Sequence, residues 1–315
     1  MIRIKQVDAF TGIPFGGNPA GVVTDARDLT EGQMQRVAAE MNLSETAFVV
    51  PSPDQGADFN VRFFTPKNEV DLCGHATIAT FFTLAEEGRI RRSPEQASAV
   101  VKQRTKAGIL AVEVEFANGV PDRVMMTQAE PQFRATTIDR EQIAAVLGLR
   151  AAQIRTDWPL ELAYTGLWHL MVPVVSAQAV DAAQPDLAKL TELNRSEGVH
   201  TTHLIAPSGH QGSLVYTRDY APAVGIPEDP ATGTGSGAMG AYLVKNALLR
   251  TLDSAELGEH HDGSRHVSRF VSLQGYAINR PSQITIEVTS EGGRPILVKV
   301  GGRAVCMLDG SMRVT

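Results

Sequence analysis

A few side chains stand where proton chemistry would need them. Glu45 interrupts an otherwise uncharged run, Leu43–Val50. His75 follows Gly74 at the head of a long apolar segment, and Asp229 and Thr234 flank a second glycine-led start in Glu228-Asp-Pro-Ala-Thr-Gly-Thr234. A carboxylate in a partly apolar site has a raised pKa and can act as general base and then general acid near neutrality. A histidine at a helix N-terminus is pushed toward its neutral form, which suits hydrogen bonding to a substrate. Each residue also has an ordinary reading: a solvated strand acid, a helix cap, an Asp-Pro turn. Their recurrence on one repeated frame favours chemistry. Cys73 next to His75 invites a thiol-nucleophile reading. Two positions apart at a helix start, however, the two side chains are expected to diverge, so Cys73 is read as a buried structural cysteine.

Two further patterns carry less. Gly235-Ser-Gly237-Ala-Met-Gly240 matches G-x-G-x-x-G, but the fingerprint needs a strand before it. Here Gly-Ile-Pro-Glu-Asp-Pro-Ala-Thr precedes it, so no dinucleotide cofactor is expected. His260, His261, Asp262 and His266 cluster in a polar stretch without recognised ligand spacing, so no metal is expected.

The elements that must position these residues read as short strands with a few helices. Ile2–Val7, Ala20–Val23, Ala47–Val50 and Phe59–Phe64 are strand-like. Thr30–Asn42 predicts a helix, with Thr30 and Gln33 at capping-box spacing. Gly74–Gly88 and Gly235–Leu249 predict apolar helices opening behind a glycine, and Asp139–Leu147 and Asp186–Arg195 predict surface helices. Ile109–Phe116, Val124–Gln128, Leu167–Val175, Thr202–Ala206, Ser213–Thr217, Gln283–Val288 and Ile296–Val300 read as strands, and Thr251–His266 as an exposed irregular loop.

An internal repeat organises the list. At an offset of 156, Thr46 falls on Thr202, Pro51 on Pro207, Ser52 on Ser208, Arg62 on Arg218, Phe64 on Tyr220 and Pro66 on Pro222. After three extra residues the offset becomes 159, and Glu69 falls on Glu228, Cys73 on Thr232 and Gly74 on Gly233. Glu45 falls on Thr201, so the acid belongs to one half only. The expected architecture is a curved sheet around a central apolar helix, used twice. Helix N-termini carry unpaired N–H groups and partial positive charge, so each repeated helix start is a cradle for a substrate carboxylate. The domain expectation is 1–125 for the first half, completed by about 290–315, and 126–289 for the second.

The 315 residues allow two domains. With 43% hydrophobic and 20% charged residues the chain is not disordered. A net charge of −6 without a basic cluster argues against nucleic-acid partners. The N-terminus lacks a signal-peptide apolar stretch, and runs such as Leu170–Val175 fall far short of the roughly 20 residues that span a bilayer, so no membrane partner is expected. Two distant cysteines, Cys73 and Cys306, fit a reducing cytoplasm.

The motifs together resemble the phenazine-biosynthesis isomerase (PhzF-like) family. They are Asp8-Ala-Phe-Thr, Gly17-Asn-Pro-Ala20, Asn42-Leu-Ser-Glu-Thr-Ala-Phe48, Phe64-Thr-Pro, Cys73-Gly-His-Ala-Thr77 and Glu228-Asp-Pro-Ala-Thr-Gly-Thr234, with Gln274-Gly, Arg280-Pro-Ser282 and Val300-Gly-Gly302 in the tail. The resemblance spans nearly the whole chain. It implies an α+β, diaminopimelate epimerase-like fold of two pseudo-symmetric halves, each a β-barrel-like sheet around a central helix. It implies a homodimer and a cofactor-independent isomerase of a small carboxylate resembling dihydro-hydroxyanthranilate. It assigns Glu45 to acid–base proton transfer, His75 and Asp229 to the catalytic set, and Asn18, Ser44, Gly74, His75, Gly233 and Thr234 to substrate binding. Thr234 stands where the family pattern has Ser, which keeps the hydroxyl and alters pocket shape. Related racemases use two thiols. Cys73 occupies the first position, but Thr232, too weakly acidic, occupies the second, which disfavours two-thiol racemisation. An epimerase using Cys73 with another partner, and a non-catalytic metabolite-binding protein, remain the alternatives.

Overall fold

The computed structural model describes residues 1–51, 56–93, 95–252 and 254–314. The matched position Ser52 lies outside them. Among the described residues no helix is long and apolar enough to cross a membrane.

The chain divides into two compact units, Met1–Thr127 with Gly301–Thr315, and Gln128–Val300. In the first, strands run in the paired order Ala304–Met312, Ile2–Ala9, Asn18–Val23, Glu45–Val50, Phe59–Phe64, Ser98–Thr105, Gly108–Ala117 and Val120–Thr127. Two of these pairs are parallel, Asn18–Val23 with Glu45–Val50 and Phe59–Phe64 with Ser98–Thr105. A parallel pair needs a crossover, and a helix supplies each one. Glu31–Met41 bridges the first, with Thr30 and Gln33 forming the expected capping box. Gly74–Glu86 bridges the second.

The second unit repeats the plan. Gln132–Ala135, Glu161–Tyr164, Trp168–Pro173, Thr201–Pro207, Val215–Ala221, Arg265–Gln274 and Ser282–Glu291 pair in that order. Its parallel pairs are again Trp168–Pro173 with Thr201–Pro207, and Val215–Ala221 with Arg265–Gln274. Leu187–Glu197 lies in the first crossover and Gly233–Lys245 in the second.

Both central helices are buried on all sides. From Ala76 to Ala85 every residue of Gly74–Glu86 is buried. The three threonines there satisfy their hydroxyls within the helix: Thr77, Thr80 and Thr83 donate to the carbonyls of Cys73, Ala76 and Ala79 at 2.7–2.8 Å. Ile78, Phe81 and Leu84 supply the apolar burial, about 1.5–3 kcal/mol each. In Gly233–Lys245 small residues let the sheet approach. A Cβ on Gly240 would lie 2.6 Å from Ile286 Cγ2, one on Gly237 2.9 Å from Thr165 Oγ1, and one on Gly235 3.0 Å from Asp219 Oδ2. The G-x-G-x-x-G pattern therefore records close helix–sheet packing.

The repeat is visible in side-chain detail. Arg62 donates twice to Glu69 at 2.8 and 2.7 Å, and Arg218 donates twice to Glu228 at 2.9 and 2.7 Å. Arg62 also lies over the Phe64 ring at 5.1 Å and Arg218 over Tyr220 at 5.0 Å. Each clamp ties the segment running toward the central helix back to the strand before it.

One expectation is corrected. Thr251–His266 is not an irregular loop throughout, although Asp253 within it lies outside the described residues. Gly258–Asp262 and Arg265–Gln274 form an antiparallel hairpin turning at Gly263, whose φ is +60°. Gly258–Asp262 is exposed at every position, so no apolar alternation marked it.

Candidate active site

In the first unit the sheet and the central helix bring Ser44, Glu45 and His75 together. Glu45 opens the strand Glu45–Val50, beside Ala20 of the parallel neighbour. His75 is the second residue of the central helix. Its Nε2 lies 3.3 Å from Glu45 Oε2 and 3.3 Å from Ser44 Oγ. The Glu45 and His75 side chains keep 18% and 11% exposure, enough to meet a ligand while largely shielded from water. Burial lowers the His75 pKa, opposed by the Glu45 charge and a hydrogen bond to the Pro19 backbone, so the ring is held toward its neutral form. Asn18, at the head of the strand Asn18–Val23, is buried. A Cβ on Gly74 would meet nothing within 4 Å, so the helix start is open at that position.

Cys73 departs from expectation. Its Sγ lies 3.4 Å from His75 Nδ1 and does not diverge from it. The reason is that Cys73 is the N-cap, with extended φ −141° and ψ 121°, so helical spacing does not govern its side chain. Glu45, Cys73 and His75 offer ligand atoms all within 4.8 Å of one another.

In the second unit Thr232 is the N-cap at the position of Cys73. Its hydroxyl donates to Asp229 Oδ2 at 2.6 Å and accepts from Gln274 Nε2 at 3.0 Å. Gln274 also donates to the Asp229 carbonyl at 2.8 Å and accepts from the Thr232 N–H at 3.1 Å. Asp229 is thus held against the helix start by Thr232 and Gln274. Gly233 is buried, while Thr234 is partly exposed and its carbonyl accepts from Thr165 Oγ1 at 3.0 Å.

The counterpart of the Glu45 position is sealed. Thr201 donates to Asp219 Oδ2 at 2.9 Å, and His203 Nδ1 lies 2.7 Å from the same oxygen. His169 Nδ1 lies 2.7 Å from Thr201 Oγ1. Asp219, His203 and His169 are fully buried. The residues paired in the same way in the first unit are Ala20, Ala47 and Phe63. Sequence reasoning missed this network. The repeat held part of the signal: at the offset of 156, His203 and Asp219 fall on the apolar Ala47 and Phe63.

The family described as phenazine biosynthesis-like protein (PhzC-PhzF) matches residues 7–310. A relative from Deinococcus radiodurans, described as an uncharacterised isomerase, is 37% identical over 98% of this chain and 94% of its own. The trans-2,3-dihydro-3-hydroxyanthranilate isomerase of Pseudomonas fluorescens is 30% identical over 97% of each chain. The crystal structure of the Bacillus anthracis phenazine biosynthesis protein of the PhzF family superposes with a TM-score of 0.83 at 32% identity, over 98% of each chain. Proline racemase and hydroxyproline epimerase structures, at 15% and 16% identity, share the diaminopimelate epimerase-like fold alone. On a motif set, a repeated architecture and a match along nearly its whole length, this chain belongs to the phenazine biosynthesis-like family and is an isomerase of the PhzF type.

Proposed function

We propose that the protein is a cofactor-independent isomerase in which Glu45 moves a proton between two carbons of a small carboxylate substrate resembling dihydro-hydroxyanthranilate. The observation that carries the reading is the single acid Glu45 at 3.3 Å from His75, beside a central-helix start that opens onto free space. An allylic proton shift needs one group that takes a proton at one carbon and returns it at another. Glu45 alternates between carboxylate and carboxylic acid. A neutral imidazole has one donor and one acceptor nitrogen. His75 spends its one donor on the Pro19 backbone, and its Nε2, 3.3 Å from Glu45 Oε2, stays beside the carboxyl group and keeps it aimed. Ser44, Asn18 and the N–H groups at Gly74 and His75 are assigned to substrate binding, the last to its carboxylate.

In the second unit Asp229, Gly233 and Thr234 are assigned to binding polar groups of substrate, as the motif likeness implies. The hydrogen-bonded Thr232 hydroxyl argues against a second thiol-like acid at that helix start. A homodimer is proposed on the same likeness and is tested by light scattering of the purified chain.

The test uses substrate carrying deuterium at the carbon that loses its proton, in ordinary water. A single carrier returns part of the label to the second carbon of the product. Complete loss of label to solvent, at every substrate concentration, would count against one carrier. A second reading, proton transfer by Cys73, is favoured by its contact with His75. It requires Cys73→Ala to abolish turnover.

A further inference from the structure

The spacing of residues 260–266 pointed to no metal site, and the cluster that meets the geometric requirement lies elsewhere. Glu45, Cys73 and His75 are the one group of three metal-ligating side chains gathered within 4.8 Å among the described residues. They offer one carboxylate oxygen, one thiol sulfur and one imidazole nitrogen, the donor set that zinc takes. Zinc lies about 2.3 Å from sulfur and about 2.0–2.2 Å from nitrogen and oxygen, so ligand atoms at a tetrahedral centre are roughly 3.3–3.6 Å apart. Here Nε2 of His75 lies 3.3 Å from Glu45 Oε2 and 3.9 Å from Cys73 Sγ. All three donor atoms lie within 4.8 Å of one another, so closing the set around an ion draws the Cys73 sulfur in toward Nε2. The three donors come from the first residue of one strand and from the N-cap and first turn of the central helix, and the sheet that surrounds the helix holds them. Beside them the Gly74 position is open, which leaves room for a fourth ligand such as water or a carboxylate.

We propose that Glu45, Cys73 and His75 bind a zinc ion, and that its presence switches the isomerase off. Coordination takes the carboxylate oxygen of Glu45 and a ring nitrogen of His75 and displaces the proton from the Cys73 sulfur to solvent. With its lone pairs on zinc, Glu45 does not accept a substrate proton. The inhibitory half rests on the acid–base role proposed for Glu45, and the binding half does not.

The experiment titrates the full chain, first stripped with a chelator, with cobalt(II) and then zinc(II). Expected is a thiolate-to-cobalt charge-transfer absorption that saturates at one ion per chain and is bleached by zinc. Cys73→Ser removes the absorption, and Glu45→Gln and His75→Gln weaken zinc binding by at least about tenfold, the scale on which even outer-shell partners act. Cys306→Ser, at the other cysteine, leaves the absorption in place. Circular dichroism and melting of each variant establish that it is folded. Absence of the band in the unaltered chain, or its persistence in Cys73→Ser, overturns the site. If zinc binds but leaves turnover unchanged, the inhibitory half falls. If Glu45→Gln is still active and has lost zinc affinity, the metal site stands and the acid–base reading fails.

Discussion

Replacing Gly74 by Ala separates the two roles a helix-start glycine can have. If the glycine served only to let the chain turn into the helix, adding a methyl would strain the fold. The structure argues otherwise: Gly74 has no positive φ, and a Cβ there meets no atom within 4 Å. Alanine is also the better helix former, by up to about 1 kcal/mol. The variant is therefore expected to melt at the same temperature or a few degrees higher. The ligand side is different. A substrate carboxylate seated on the Gly74 and His75 N–H groups would meet the new methyl. Loss of one hydrogen bond to a charged group costs about 1.5–3 kcal/mol, or about 10- to 150-fold in affinity at 1.4 kcal/mol per decade. The assay is the substrate dependence of proton exchange followed by NMR, run beside a thermal melt. Normal stability with a raised KM is expected. An unchanged KM would remove the helix start from substrate binding, and a collapse of the melt would show that the space is not free.

Other perturbations follow from the same geometry. Gly235→Ala forces a Cβ to 3.0 Å from Asp219 Oδ2 and His203 Nδ1, and overpacking of this kind costs about 1–3 kcal/mol, so its melting temperature should fall where that of Gly74→Ala does not. Arg218→Met should destabilise more than Arg62→Met in urea unfolding. The Arg218 pair is buried, and Arg218 also donates to the carbonyls of Val180, Asp181 and Ala183, so about 3–5 kcal/mol is at stake. Glu69 keeps Lys106 when Arg62 is lost, which limits that cost to about 1 kcal/mol, and the reverse order would contradict the account. Burial pushes His169 down to about 3, so between its ordinary value of 6.5 and about 3 the unfolded chain holds more protons than the native one. Stability must then fall with pH through that window, by about 2 kcal/mol from pH 7 to pH 5 for this residue, and His169→Gln should flatten the decline.

Much of this organisation was legible in the residues. Thr30 and Gln33 announced their helix because a capping box is a local device that needs no tertiary partner. The paired offsets placed Arg62 on Arg218 and Glu69 on Glu228, and the two bidentate clamps show why the repeat keeps both members. What escaped depended on geometry that periodicity does not carry. Cys73 was expected to point away from His75 because helical spacing was applied to an N-cap, where the backbone is extended. The hairpin at Gly258–Gln274 escaped because its first strand is exposed on both faces and shows no alternation. The buried set of His169, Thr201, His203 and Asp219 needs three strands in register, and register is settled by the sheet as a whole.

The central claim is that one acid, Glu45, carries the proton. It is tested most directly by proton NMR in deuterated water, with candidate dihydroaromatic and amino-acid carboxylates offered to the unaltered chain, to Glu45→Gln and to Cys73→Ala. The account predicts deuterium incorporation by the unaltered chain and by Cys73→Ala, and none by a folded, substrate-binding Glu45→Gln. Exchange that survives in Glu45→Gln and vanishes in Cys73→Ala would contradict it.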